Sequence, residues 1–412
     1  LQGLYTGAGD EASEETATQV GIVGKPNVGK STLFAALSLA PANIAPYPFT
    51  TIEANRGVGY VRTPCPHVKF GTACTPNNAP CDNGTRLVPI ELLDVAGLVP
   101  DAHLGKGLGN KFLDELRQAD AFIQVVDASG GTDATGNPVP PGTRDPIEDV
   151  EFLEREIAMW IQGILEKGFE KHARQAKIAG AKIEQLLQER LTGLKVNELQ
   201  ITAAIRGAAL DPDPTHWKAE ELFRLARAIQ EASKPMLIAA NKADLATPEQ
   251  IERLRQLGRP LIPTCAEYEL ALKRAAKANL IRYLPGATTF DVLPTATLTE
   301  KQEEALERIR PWLGAHGGTG IQRCLEEAVY RLLDLIVVYP VEDEHKWTDK
   351  EGRVLPDAFL LRRGSTAREM AYKVHTELGD HFIRAINGRT HMVIGQDHVL
   401  EAGDVIKIVA RT

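Results

Sequence analysis

Gly24-Lys25-Pro26-Asn27-Val28-Gly29-Lys30-Ser31 is the stretch on which the reading of this chain turns. It fits G-x-x-x-x-G-K-[ST], and its flanks suit the pattern. Residues 18–23 read as a buried strand carried by Val20, Ile22 and Val23. Residues 31–39 read as a helix, with Leu33, Phe34, Leu37 and Leu39 available to pack on a sheet. A glycine-rich turn between strand and helix aims successive backbone N–H groups at one point, where they hold phosphate oxygens. The loop residues Asn27, Val28, Gly29, Lys30, Ser31 and Thr32 then surround the phosphates; Lys30 reaches the β/γ oxygens and the Ser31 hydroxyl suits Mg²⁺. A chance match in a glycine-rich loop is the bland alternative, and the flanking elements argue against it. The pattern predicts a nucleoside triphosphate site in an α/β fold of the P-loop NTPase type.

Two further motifs follow in an order that fits. Residues 87–93 are a strand candidate ending in Asp94-Val95-Ala96-Gly97. A carboxylate at that tip holds Mg²⁺, usually through water, and a glycine lets the backbone meet the γ-phosphate. Asn241-Lys242-Ala243-Asp244 follows the apolar strand 236–240. Its Asp244 carboxylate can accept from the ring N1–H and exocyclic amine of guanine, which adenine does not offer. Asn241 organises the loop, the Lys242 stem covers the base, and Cys265-Ala266 offers a backbone N–H to the guanine O6. Read alone, Asn241 to Asp244 could be an ordinary helix cap.

Composition narrows the class. A chain of 412 residues predicts two or three domains, and a hydrophobic share of 43% is ample for real cores. A formal net charge of −8 excludes a protein that binds nucleic acid, DNA included, by overall electrostatics, while leaving room for local patches. No apolar run approaches the ~18 residues of a membrane span. Five scattered cysteines, an odd number, suit a reducing compartment, so a cytoplasmic location is expected. Residues 1–17 carry acids and no basic residue, and read as an acidic tail or an appended remnant.

Residues 122–127 form a further buried strand, followed by a Gly/Pro/Thr-rich loop to Asp145-Pro146 that reads as a boundary. Leu153, Ile157, Trp160, Ile161, Ile164 and Leu165 then recur at helical spacing, and residues 173–191 form a second helical stretch. Residues 148–231 are therefore expected to be an α-helical insertion containing an antiparallel hairpin, between nucleotide-binding parts at 18–147 and 232–335. Lys167, Lys171, Arg174, Lys177 and Lys182 lie in it, with His172 among them; they suit either a solvated helix face or contact with RNA or a partner. Residues 336–412 read as a separate small module of alternating strands and one helix. Cys65, His67, Cys74 and Cys81 sit in a Pro/Asn-rich loop with spacing C-x-H-x₆-C-x₆-C. The absence of a C-x₂-C knuckle leaves Zn²⁺ ligation, plain thiols and a Cys74–Cys81 bridge all open.

The chain resembles translation-factor-class GTPases of the Obg family, in particular the YchF-type branch in its archaeal or fungal form. The residues that carry the resemblance begin with Gly24 through Thr32, Tyr47-Pro48-Phe49-Thr50-Thr51-Ile52-Glu53-Ala54-Asn55, and Asp94 through Leu98. They continue with Gly105-Lys106-Gly107-Leu108-Gly109-Asn110-Lys111-Phe112, the Asn241–Asp244 tetrapeptide, and the segment from Arg363-Gly364-Ser365-Thr366 to Val409. It spans nearly the whole chain from Thr18 onward. It implies a G domain with a C-terminal TGS domain of β-grasp fold, the TGS domain and the helical insertion contacting RNA or the ribosome. It also implies that Thr51 closes on Mg²⁺ and the γ-phosphate, Thr50 serving instead if the register differs, while Gly105, Gly107 and Gly109 let switch II rearrange. Leu98 stands where many GTPases carry a water-orienting glutamine, so catalysis must draw on a backbone group, another side chain, a partner or a cation. Asn27 matches an asparagine that holds K⁺ in some relatives, or else it braces the loop. Bacterial and animal members carry N-x-x-E and favour ATP; Asp244 points to GTP. The expectation is a Mg²⁺-dependent hydrolase converting GTP to GDP and phosphate, with Lys30, Thr51 and Gly97 at the reacting phosphate and Ser31, Thr51 and Asp94 around the metal, acting as a ribosome- or RNA-associated switch. The alternatives are a nucleotide-gated binder with negligible hydrolysis and an ATPase.

Overall fold

The computed structural model describes residues 18–40, 55–95, 97 and 109–411, leaving aside the side chains of 109–111, 113 and 114. Thr51, Leu98, Gly105 and Gly107 lie outside the described residues, as do residues 1–17. The main sheet is built from β1 (Gln19–Val23), β2 (Arg56–Pro64), β3 (Cys81–Asp82), β4 (Thr85–Asp94), β5 (Ala121–Asp127), β6 (Met236–Asn241) and β7 (Leu261–Pro263). Its order is β2-β4-β1-β5-β6-β7, with β3 added on β4. The pairs β4–β1, β1–β5, β5–β6 and β6–β7 are parallel and β2–β4 is antiparallel. Every residue of β1 and β5 is buried, as strands covered on both faces must be, and their continuous apolar runs are the sequence counterpart.

Strand order reverses around β1, and a crevice opens outside the carboxyl ends of the strands at such a point. Register delivers the motifs there. Ile22 pairs with Asp94, and Asp127 with Asn241, so the loop after β1, the acid ending β4 and the tetrapeptide ending β6 share one edge. The helix after β1, Lys30–Ser38, packs Leu33, Ala36 and Leu37 inward.

Helices occupy the stretch between β5 and β6, with one correction. Helix Ile147–Glu166 packs on helix Ala219–Ser233. Gln162 Nε2 donates to the Ala219 carbonyl (3.0 Å) while Arg227 faces Glu154 (3.8 Å), so the two helices run antiparallel. The expected helix over 173–191 is two, Phe169–Ala179 and Ile183–Leu191, because Gly180 (φ 64°) ends the first in a left-handed cap. Ile157, Trp160, Ile161, Leu187, Leu191 and Leu225 share their core. On the basic row, Arg174 pairs with Glu170 (2.6 Å) and Lys177 with Asp213, both cations remaining mostly exposed.

A short hairpin, β8 (Ile281–Arg282) with β9 (Asp291–Val292), precedes the C-terminal sheet. That sheet comprises β10 (Leu335–Val341), β11 (Phe359–Arg362), β12 (Phe382–Asn387), β13 (Val393–Ile394) and β14 (Val405–Ala410), in the order β11-β10-β14-β12-β13. Helix Ala367–Val374 starts on a Thr366–Glu369 capping box and stops at His375 before a second helix, Thr376–Asp380, so the expected single helix is interrupted.

The expectation of a separate C-terminal module needs correcting at its first strand. Alternate β10 residues point opposite ways. Ile336 and Val338 enter the small core with Met370, Ala371, Ile406 and Ile408. Leu335, Val337, Tyr339 and Val341 enter the core of the main sheet with Leu325 and Val329. One strand thus belongs to both cores, and a division at 335/336 falls within it. No helix among the described residues is long and apolar enough to cross a membrane.

Candidate nucleotide site

Backbone conformation shapes the phosphate loop. Gly29 caps the following helix at φ 95°, and a Cβ there would lie 2.2 Å from Asn241 Nδ2. Only glycine fits, because Asn241 crosses to donate to the Val28 carbonyl (2.9 Å). No side chain caps the helix start, so its first N–H groups are left to face the crevice, the arrangement that takes a phosphate.

Lys30 pairs with Asp94 through Asp94 Oδ1. The cation expected at the phosphates and the carboxylate expected near the metal therefore face one another. Gly97 lies beside the same loop, with space for a Cβ 3.6 Å from the Pro26 ring. An exposed Ser31 hydroxyl and the Asp94 carboxylate are hard oxygen donors, a set that fits Mg²⁺. Mg²⁺, when bound, neutralises charge that develops on the β and γ oxygens.

Asn241 joins the phosphate and base sides. Besides Val28, it accepts the Ala266 N–H on Oδ1 (3.0 Å). Lys242 (φ 56°) extends to the Asn27 carbonyl (3.0 Å) and to Asp127 (2.8 Å), laying its stem along the loop. Asp244 is exposed, with Cys265 Sγ at 3.2 Å from its Oδ1. Burial pushes the Tyr268 hydroxyl pKa up to about 12, helped by the Asp244 charge that it hydrogen-bonds. Burial, followed by the same charge, likewise raises that of the Cys265 thiol. Both groups thus stay protonated and donate toward Asp244. Cys265 gives its N–H to the Thr319 carbonyl (3.0 Å), and Asn241 Oδ1 accepts the Ala266 N–H, beside the place expected for the guanine O6.

Sequence reading missed a second layer that steadies this loop. Lys25 is buried and pairs with Asp149 (2.6 Å), in the first turn of helix Ile147–Glu166, and also donates to the Thr132 carbonyl (3.0 Å). Asn27 Nδ2 donates to the Gly136 carbonyl (2.9 Å), which is the bracing role, leaving its Oδ1 as the atom that could meet a cation. The 128–146 loop, read only as a boundary, therefore lies against the phosphate loop. Its one legible hint was a concentration of Asp, Thr and Gly too rich in turn chemistry for a plain linker.

Fold and site together define a P-loop nucleotide-binding protein of the GTPase type. Family models match in three places: the 50S ribosome-binding GTPase over residues 19–162, the G4 motif-containing domain of Obg-like GTPase YGR210-like proteins over 239–343, and the TGS domain over 350–410. An uncharacterized GTP-binding protein of Methanocaldococcus jannaschii is 52% identical over 394 residues, covering 95% of this chain and 98% of that one. One of Schizosaccharomyces pombe is 34% identical, covering 94% of each. The crystal structure of a GTP-binding protein from Pyrococcus horikoshii, 42% identical, superposes with a TM-score of 0.76 over 96% of this chain and all of that one. More distant bacterial relatives bear the name ribosome-binding ATPase YchF. The chain belongs to the YchF/Obg-like GTPase family, with a C-terminal TGS domain.

Proposed function

We propose that this protein binds GTP with Mg²⁺, hydrolyses it to GDP and phosphate, and acts in the cytoplasm as a switch on the ribosome or its RNA. The observation that carries this reading is Asn241, which ties the phosphate loop to the strand-end loop bearing Asp244. In this reading Lys30 and the loop N–H groups of Val28 to Thr32 stabilise the transferring phosphoryl charge. Gly97 offers its backbone to the γ-phosphate, Ser31, Thr51 and Asp94 manage Mg²⁺, and Asn241, Lys242, Asp244, Cys265 and Ala266 form the base site. Residues 18–147 and 232–335 make the G domain. The insertion at 148–231 and the TGS domain at 336–412 face RNA or the ribosome, with β10 shared across the last boundary. An exposed Arg384 beside exposed Ile383, Met392 and Val393 supports a contact surface on the TGS sheet.

The name ribosome-binding ATPase, borne by bacterial relatives, favours a second reading in which ATP is the substrate. Asp244 separates the two. Its charged hydrogen bonds to guanine are worth about 1.5–3 kcal/mol, so GTP is expected to bind at least about tenfold tighter than ATP. Asp244→Asn should erode that preference in equilibrium titrations with both nucleotides. Equal affinities in the unmutated chain would remove guanine selection.

Leucine at position 98 can neither orient nor deprotonate water, so stabilising charge must come from elsewhere. A K⁺ ion on Asn27 Oδ1 would supply it. Hydrolysis is then expected to rise several-fold in KCl over NaCl at matched ionic strength, which keeps screening constant, and Asn27→Ala should abolish the difference. Identical rates in the two salts would move the missing group to a partner.

A further inference from the structure

Cys65 follows β2, His67 opens the one-turn helix His67–Phe70, Cys74 lies in the next loop, and Cys81 is on β3. Their ligand atoms all lie within 4.8 Å of one another, with Cys65 Sγ 3.9 Å from Cys74 Sγ and Cys81 Sγ 3.7 Å from His67 Nδ1. Zn–S and Zn–N bonds of roughly 2.3 and 2.0–2.1 Å place tetrahedral ligand atoms about 3.5–3.8 Å apart. The cysteines are all free thiols. We propose that Cys65, His67, Cys74 and Cys81 form a closed structural Zn²⁺ site that fastens residues 65–84 between the nucleotide-binding sheet and the TGS sheet.

A buried charge supports this independently. Arg86, directly opposite Cys81 across the β3–β4 pair, is wholly buried. Its Nη2 donates to the carbonyls of Leu355 (2.6 Å) and Pro356 (3.0 Å), but its Nε and Nη1 have no hydrogen-bond partner, and among the described residues no carboxylate pairs with it. Asp357 on the same segment accepts from Asn77 (3.1 Å); burial raises its carboxyl pKa, an effect that the charges of Arg353 and Arg86 partly offset. A buried guanidinium needs a counter-charge. Three thiolates and one neutral imidazole around Zn²⁺ carry one net negative charge, next to Arg86.

The site also has something to hold. The 65–84 stretch has little regular structure, yet it carries the contacts to the C-terminal segment. Phe70 stacks on Trp347 at 4.0 Å, and Thr75 and Asn77 donate backbone N–H groups to the Val354 and Pro356 carbonyls (2.9 and 2.7 Å). Asn78 bonds both sides of the Ala358 backbone. Ligation of three thiols releases their protons and makes metal affinity part of the stability of this junction.

The test uses the full chain, purified reduced and without chelator. Elemental analysis should find about one zinc per chain. Cys74→Ser and Cys81→Ser should lose it, while Cys324→Ala, a buried free thiol outside the four, should retain it. Should the serine variants fail to fold, Co²⁺ exchanged into the unmutated chain provides a readout that needs no substitution. Tetrahedral d–d bands with thiolate-to-cobalt charge transfer are expected, and metal removal should lower Tm and open 65–84 to protease. A reduced chain that takes up neither Zn²⁺ nor Co²⁺ would overturn the proposal, as would zinc retained in the Cys74→Ser, Cys81→Ser double variant.

Discussion

Lys30→Ala is expected to lower multiple-turnover phosphate release by a factor of at least roughly 10²–10³, the loss seen when one preorganised charge or donor at a transition state is removed. The reasoning begins with the loop. Lys30 follows the helix-capping Gly29, and its ammonium faces the end of β4 with Asp94 as partner. On the proposed function, a triphosphate entering the crevice would exchange that carboxylate for its own β/γ oxygens. Of the two lysines in the motif, Lys25 is committed to Asp149 and the Thr132 carbonyl, so it cannot substitute. Removing Lys30 also leaves Asp94 without its counter-ion, which would repel the phosphates. Normal turnover by this variant would place the activity elsewhere.

The largest stability effect is expected at a residue far from the nucleotide. Tyr339→Ala should destabilise the chain by about 3–5 kcal/mol, the range for truncating a large aromatic in a core. Tyr339 is wholly buried on the inner face of β10, and its ring lies 5.6 Å from the Arg86 guanidinium. Ile383→Ala, on the exposed face of the same sheet, should change stability by no more than about 0.5 kcal/mol. Urea unfolding of the three chains measures both. By the same argument a chain ending at Asp334 should not fold normally, because it strips Val337, Tyr339 and Val341 from the main core. A soluble, folded product with unchanged GTP affinity would return the C-terminal module to independence.

Much of the site was legible because its parts are contiguous in sequence. The phosphate loop, the strand ending in Asp94 and the Asn241–Asp244 tetrapeptide each carry their own strand context, and parallel register then brings them together. What escaped reading was long-range. Nothing near Lys25 announces Asp149, nothing near Arg86 announces the carbonyls of Leu355 and Pro356, and Asn27 finds Gly136 only across a loop. The sharing of β10 between two cores has its own signal: Leu335 to Tyr339 is an unbroken apolar run, the mark of a strand buried on both faces. Gly180 likewise stood in plain view inside a helical pattern, where its capping role depends on a backbone turn that periodicity alone does not register.

The most direct measurement is phosphate release from GTP and from ATP by the unmutated full chain, each below saturation and each with and without Mg²⁺. GTP should be hydrolysed over many turnovers only when Mg²⁺ is present, and ATP at no more than about a tenth of that rate, following the charged contacts that Asp244 can make to guanine. ATP hydrolysed as fast as GTP, or no release from either nucleotide, would contradict the proposal of a guanine-specific hydrolase.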